Sequence, residues 1–335
     1  MYSIQNRRYL GNKYKLLPFI EEVIKNECGE FSSFFDVFAG TGIVSSNFLD
    51  KKIITNDILY SNYITHIAFF KNEEFNKEKL KEIIARYNSI VELKEDNYMS
   101  LCFRNTFFSE FVCRKIGYIR EDIETKFINK EINEKERNFL ITSLLYSMDK
   151  IAATCGHYDA YRKGVILPDD INLKMLNTFD NTRLDNEFYN CDSNELAKKI
   201  VCDVAYLDPP YNSRQYGDAY HLLENVARWQ KGEVFGTARK MNRDNLKSKY
   251  CLSSATETFE VLIQNLKCRY IILSYNNTGN KANSRSNAKI SDEDIIRILG
   301  EKGEVKIFSQ KYKAFTTGKS QNDYNSERLF VCKVG

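Results

Sequence analysis

The feature that most constrains the fold is the run Phe34-Phe35-Asp36-Val37-Phe38, followed at once by Ala39-Gly40-Thr41-Gly42 and an amphipathic IVSSNFL segment. A second short apolar strand, KKIITND, then ends on Asp57. A short aromatic-rich run reads as a buried strand, and two closely spaced glycines supply the tight turn by which such a strand passes into a helix. Together these make the opening βαβ unit of a doubly wound parallel sheet, a fold that binds ligands at the carboxyl ends of its strands. The expected class is therefore α/β, with a Rossmann-like sheet. Ser45 stands where the G-x-G-x-x-G dinucleotide fingerprint has Gly or Ala, so the turn departs from that fingerprint.

From about Tyr60 to about Phe188 the pattern changes to Lys- and Glu-rich helical periodicity, in EEFNKEKLKEIIARYNSIVELKED and KERNFLITSLLYSMDKIAA. That stretch is too long for a loop in a compact domain. It predicts a helical insertion over 61–188 that splits a sheet domain into 1–60 and 189–335. Strand signals return in IVCDVAYLD, in YIILSY after the helix-like TFEVLIQNLKC, in VKIFSQKYKAF and in ERLFVCKV. A chain of 335 residues, 43% hydrophobic and 28% charged, buries a substantial core and has neither a disordered nor a fibrous composition. Its apolar runs fall short of the about 18 residues of a membrane span, and MYSIQNRRYLGNKYK lacks a signal peptide's apolar core, so the expectation is a cytoplasmic protein with no membrane partner. Nine cysteines without a CxxC pair and three scattered histidines argue against a disulfide framework and against a metal site.

Two of the chain's four prolines are adjacent, in Asp208-Pro209-Pro210-Tyr211, directly after the apolar VAYL. This is the carboxyl end of a predicted strand. Proline fixes φ and has no N–H, which aims the Pro209 carbonyl outward beside the Asp208 carboxylate and presents two acceptors to one amino group. The exocyclic amine of a nucleobase is a weak nucleophile, because its lone pair is delocalised into the ring. Two acceptors gripping its hydrogens favour a pyramidal nitrogen whose lone pair points at an electrophile. Tyr211 adds a face on which a base stacks, worth about 1–3 kcal/mol in single-stranded systems. A rigid turn after a strand is the alternative role for the prolines, and a helix N-cap the alternative for Asp57, which otherwise suits a ribose hydroxyl.

Net charge is only +4, from 49 basic and 45 acidic residues, but the bases are clustered. Arg7, Arg8, Lys13 and Lys15 crowd the N-terminus, Arg239, Lys240, Arg243, Lys247 and Lys249 follow the prolines, and Lys311, Lys313 and Lys319 lie near the C-terminus. Each cluster alone fits a solvated face as well as a polyanion site.

FDVFAGTG, ITND and DPPY in this order, with YLGNKYKLLPFI ahead of them, resemble the Dam-type (alpha-class) adenine-specific DNA methyltransferases of restriction–modification systems. The stretch DPPYNSRQYGDAYHLL is similar to their extended catalytic motif, and YIILSYNNTG and GHYDAYRKG fit the same subgroup. The resemblance implies S-adenosylmethionine as methyl donor. It implies Tyr9 and Lys13 in an N-terminal cofactor motif, Asp36, Phe38, Gly40 and Gly42 at the methionine moiety, and Asp57 at the ribose. Asp192 would accept from the cofactor's adenine amine, with an N-cap to SNELAKKI as its alternative. Asp208, Pro209, Pro210 and Tyr211 would hold the target adenine, with Asp208 also bordering the cofactor.

Double-stranded DNA is then the expected partner, with the target base flipped out of the stack, and a cognate restriction endonuclease a further one. Arg214, Arg239, Lys240, Arg243, Lys247 and Lys249 become candidate DNA contacts flanking the pocket. Arg104, Asn105, Arg114, Lys115, Arg162 and Lys163 become candidates in the target-recognition insertion. Transfer by direct in-line displacement needs no Cys or Ser nucleophile. An RNA adenine methyltransferase and a non-catalytic nucleic-acid-binding protein that keeps the fold are the alternative functions.

Overall fold

The computed structural model describes residues 1–179, 183, 185–276, 288–312 and 325–335. The Asn277-Thr278-Gly279 end of YIILSYNNTG, Lys313, Lys319 and the side chain of Lys311 lie outside the described residues. The chain divides into two compact units, 13–58 with 187–216 and 246–335, and 1–12 with 59–186 and 217–245.

The first unit holds the sheet. Its strands are β1 (Ser33–Asp36), β2 (Lys52–Asn56), β3 (Glu187–Tyr189), β4 (Val204–Leu207), β5 (Tyr270–Asn276), β6 (Gly303–Tyr312) and β7 (Asn325–Val334). They are ordered β3-β2-β1-β4-β5-β7-β6, with β7 antiparallel to both neighbours and every other pair parallel. Every residue of β4 and β5 is buried, as expected of parallel strands covered on both faces. One face packs Phe35, Ala205, Leu207, Ile271 and Leu273 against Phe259, Leu262 and Ile263 of the helix Ala255–Asn265 and against Ile295 and Ile298 of the helix Asp292–Gly300. The direction of strand succession reverses between β1 and β4, which is where an open sheet leaves a crevice at its carboxyl edge.

Two details differ from the sequence reading. The helix expected after the glycine turn is a single 3-10 turn, Ser45–Asn47. Here Ser45 Oγ donates to Asp36 Oδ2 at 2.7 Å and Ser46 Oγ to the Ile43 carbonyl at 2.7 Å, side-chain bonds that compete with helical ones. The strand read in IVCDVAYLD begins only at Val204, because Asp203 turns its carboxylate to the start of β1. There Oδ2 accepts from the Ser32 amide (2.7 Å), the Ser32 hydroxyl (2.7 Å) and the Ser33 amide (3.1 Å).

The second unit is helical, and polar caps set its boundaries. Asn76 caps Lys77–Asn88, Ser109 caps Glu110–Ile128, and a reciprocal Asn133–Glu136 capping box opens Glu134–Ile151. The domain boundaries read from the sequence place 1–12 and 217–245 with the sheet, whereas both segments fold into the helical unit. Buried polar contacts hold them there. Arg7 donates to Asn62 Oδ1 at 2.8 Å and approaches Asp149 at 3.6 Å. Arg120, fully buried, donates to the Val226 carbonyl at 2.7 Å, and buried Glu224 accepts from the amides of Tyr60 (2.8 Å) and Ser61 (2.9 Å). Among the described residues no helix is long and apolar enough to cross a membrane, and no group of His, Cys, Asp and Glu is placed to hold a metal ion.

Its hydrogen bonds hold the Asp203 carboxyl down at about 2, even though burial pushes it up. A depressed folded-state value stabilises the fold above the unfolded carboxyl's pKa of about 3.9, and that contribution disappears as pH falls toward 2. Asp203→Ala is expected to destabilise the protein by about 1–3 kcal/mol at neutral pH in urea unfolding and to flatten the loss of stability between pH 4 and 2.

Candidate functional site

Five strands deliver polar residues to one edge of the sheet. Asp36 is the last residue of β1, Asn56 of β2 and Asn276 of β5, while Asp208 directly follows β4. Because β7 runs antiparallel, its early residue Glu327 pairs with Asn276 and arrives at the same edge.

The glycine turn is clamped onto the end of β2. The Ala39 amide donates to the Asn56 carbonyl at 2.9 Å, and the Gly40 amide donates to Asp57 Oδ2 at 2.9 Å. Gly40 and Gly42 take φ of 53° and 80°, left-handed values that an L side chain resists. Asn56 ties this loop to the one after β3, donating to the carbonyls of Val37 (3.3 Å) and Cys191 (3.2 Å). Asp57 is therefore no helix cap: the helix Tyr60–Phe70 has Leu59 at its N-cap with no side-chain bond.

Asp36 is buried, and Oδ1 has no hydrogen-bond partner among the described residues. Burial raises its carboxyl to about 7, against the Ser45 bond and with the help of Asp208 and Asp57. A buried acceptor left unsatisfied is unfavourable, so a ligand bringing donors or positive charge here is stabilised. Around the edge, Phe38 packs edge-on to Tyr250 (5.1 Å, 81°), whose hydroxyl donates to Asn194 Oδ1 at 2.8 Å.

At the prolines, the Asp208 carboxylate is 21% exposed and its Oδ1 lies 3.0 Å from Lys13 Nζ. No described group donates to the Pro209 carbonyl. Tyr211 stands edge-on to Tyr275 at 6.2 Å, and the Tyr275 hydroxyl accepts from the Ile290 amide at 3.1 Å. Lys13 Nζ also lies 3.2 Å from Glu327 Oε1, which accepts from Ser274 Oγ at 2.6 Å. Burial disfavours the Lys13 charge, yet the two carboxylates outweigh it and hold its pKa well above the usual lysine value. Burial raises the Asp208 carboxyl to about 6, with Lys13 opposing the rise and Glu327 adding to it.

Asp36, Phe38, Gly40, Gly42, Asp57, Asp208, Pro209, Pro210, Tyr211 and Lys13 all belong to the sheet unit. Tyr9 belongs to the helical unit, stacked on Tyr220 at 4.7 Å with its hydroxyl accepting from Asn62 at 3.0 Å. Asp192 is exposed and caps Ser193–Ala197, with Oδ1 accepting from the amides of Asn194 (2.9 Å) and Glu195 (3.2 Å).

The basic candidates divide. Arg214, Lys247 and Lys249 are exposed on the sheet unit and Arg239 on the helical unit. Lys240 and Arg243 are instead half-buried braces: Lys240 pairs with Asp159 at 2.8 Å and Arg243 with Asp218 at 2.6 Å. Arg162 and Lys163 are exposed and Asn105 turns the backbone at φ 57°, whereas Arg104 lies 3.6 Å from Asp96 and Arg114 2.6 Å from Glu110. Lys115 is corrected outright, being fully buried and paired with Asp170 at 2.7 Å. Sequence reasoning missed Asn56, Tyr250, Ser274 and Glu327. Asn56 lies in ITND and Ser274 in YIILSYNNTG, whereas Tyr250 and Glu327 meet the site from far along the chain.

Comparison with known proteins gives the family. A family model described as D12 class N6 adenine-specific DNA methyltransferase matches residues 9–286. Modification methylase StsI of Streptococcus sanguinis is 33% identical over 96% of this chain and 51% of its own length. Type II methyltransferase M.NlaIII of Neisseria lactamica is 31% identical over 94% of both chains. Type II methyltransferase M.FokI of Planomicrobium okeanokoites is 32% identical over 94% of this chain and 50% of its own. The chain thus spans about half the length of the StsI and FokI proteins and nearly all of M.NlaIII.

Gly42→Ala forces a side chain into the left-handed region. It is expected to destabilise the protein by about 1–2 kcal/mol in denaturant unfolding, whereas Gly335→Ala at the chain end leaves stability unchanged.

Proposed function

The chain belongs to the D12 class of N6 adenine-specific DNA methyltransferases, and on that premise we propose that it methylates the exocyclic amine of adenine in a short sequence of double-stranded DNA. S-adenosylmethionine is the proposed donor, and its sulfonium supplies an activated methyl group. The proposed role is modification in a restriction–modification system, with a cognate endonuclease recognising the same sequence.

The observation that carries this reading is the pair of acceptors at the end of β4, the Asp208 carboxylate and the Pro209 carbonyl, undonated among the described residues, with the Tyr211 ring beside them. They suit an amine whose two hydrogens need acceptors. Gripping those hydrogens restores the nitrogen lone pair and stabilises the positive charge that develops as the new N–C bond forms and the sulfonium's C–S bond breaks, leaving a neutral thioether; one gripped N–H proton then passes to water. Asp208 accepts most strongly when ionised, which the nearby Lys13 ammonium favours.

The crevice residues fit the donor by their chemistry. Asp36 Oδ1, unpartnered among the described residues, is suited to an ammonium or amide donor, the Gly40–Gly42 turn permits close backbone approach, and Asp57 lies at the turn to meet a ribose. Phe38 offers an apolar wall, and Asp192 beyond β3 is the acceptor proposed for an adenine amine. The helical unit is proposed to read the sequence, with the exposed Arg162 and Lys163 among its contacts. Arg214, Arg239, Lys247 and Lys249 are proposed to meet phosphates.

Transfer of labelled methyl to unmethylated genomic DNA, with structured RNA in parallel, tests the proposal. Label recovered as N6-methyldeoxyadenosine is the expected outcome. Label confined to RNA would change the substrate, and none in either would overturn the activity. Asp208→Ala is expected to reduce turnover at least about 100-fold while the donor's Kd stays within about two-fold. Asp57→Ala is expected to weaken donor binding about ten-fold by calorimetry, a loss of roughly 1.4 kcal/mol.

A further inference from the structure

The buried chain Ser274–Glu327–Lys13–Asp208 reaches the proposed reaction centre through Glu327, which the sequence offers only as the start of a strand. Ser274 Oγ donates to Glu327 Oε1 at 2.6 Å, that oxygen lies 3.2 Å from Lys13 Nζ, and Nζ lies 3.0 Å from Asp208 Oδ1. Glu327 is 2% exposed and Lys13 5%, so the salt links are screened little by water. Burying three charges is unfavourable compared with packing apolar side chains of the same size, and packing alone gives no reason to keep them.

We propose that Glu327, anchored by Ser274, is a positioning residue for methyl transfer, fixing the Lys13 ammonium so that it engages Asp208 Oδ1 and leaves Oδ2 to the target amine. The inference rests on Asp208 being that amine's acceptor. Lys13 faces two carboxylates, and without Glu327 a four-carbon side chain with free rotors would have one anchor instead of two. With it, the ammonium is held at a fixed point, and the Asp208 oxygen bound to it is the one withdrawn from the substrate. Oδ2 makes no bond among the described residues. The charge count follows the same logic. One ammonium set against two carboxylates leaves one negative charge uncompensated, at the place where an attacking amine nitrogen becomes positive. Asp208 supplies that charge at the nitrogen, and Glu327 makes the lysine a neutral partner rather than a competing cation.

The test reads the cluster without donor or DNA. The Asp208 carboxyl carbon is followed by NMR in protein with 13C-labelled aspartate, its signal assigned by its loss in Asp208→Asn. Besides Lys13 and Glu327, the groups facing it are Asp36, Tyr206 and Tyr211. Removing a neighbouring cation raises a carboxyl's midpoint and removing a neighbouring anion lowers it. The expected result is a rise of about one pH unit in Lys13→Met and a fall of similar size in Glu327→Gln. The acid limb of the kcat profile should move the same way in each variant. Glu327→Gln keeps the side-chain shape and the Ser274 bond, and is expected to lower kcat about ten-fold with the donor's KM within about two-fold. If one variant does not melt cooperatively, the direction of shift in the other still decides. Unmoved midpoints, or both moving the same way, would overturn the role. Shifts as expected in an enzyme whose wild type methylates no DNA would overturn the acceptor reading itself, and the two failures are therefore told apart.

Discussion

Carboxylates at the ends of buried strands are the constraint on which the rest of the sheet unit depends. Asp36, Asp57, Asp208 and Glu327 all arrive at one edge, and each is unfavourable there unless something answers it. The answers differ. Asp57 takes the Gly40 amide, Asp36 takes the Ser45 hydroxyl through one oxygen only, and Asp208 shares Lys13 with Glu327. What each leaves unanswered is what the crevice offers a ligand. Among the described residues Asp36 keeps an oxygen without a partner, and the Pro209 carbonyl beside Asp208 keeps its acceptor capacity.

The helical unit is held by the same kind of bond used to a different end. Arg120 satisfies carbonyls near the end of the helix His221–Arg228, and Glu224 on that helix takes the first amides of Tyr60–Phe70. Both side chains are fully buried, so they act as internal caps and are withdrawn from any ligand. Arg7 does likewise for the N-terminal segment, between Asn62 and Asp149. Burial raises the Asp149 carboxyl to about 6, with Arg7 opposing the rise. These contacts explain why 1–12 and 217–245 belong to the helical unit although the residues next to them in sequence belong to the sheet unit.

Local chemistry was readable where one residue type answers one backbone need. Glycines in Ala39-Gly40-Thr41-Gly42 announced a tight turn, and adjacent prolines announced a strand end with an outward carbonyl. Charge type was a poor guide to exposure. Lys115 has the side chain of a DNA contact but lies buried on Asp170, and Lys240 and Arg243 brace Asp159 and Asp218. The helix expected after the glycine turn failed because Ser45 turned to Asp36, a bond between the turn and the strand before it.

By itself the sequence determined the class of the sheet, the glycine turn, the position of the two acceptors at Asp208 and Pro209, and the family. The first three follow from the backbone preferences of neighbouring residues and from hydrophobic periodicity, which act over a few positions, and the family from the resemblance its motifs carry. Only the tertiary structure decided that Lys13 would sit between Asp208 and Glu327, that 217–245 would join the helices, and which cations stay exposed. Those outcomes depend on a carboxylate finding its counter-charge once water is excluded. The partner that does so is chosen by the register of β7 on β5 and by the packing of helices, neither of which any short stretch of chain records.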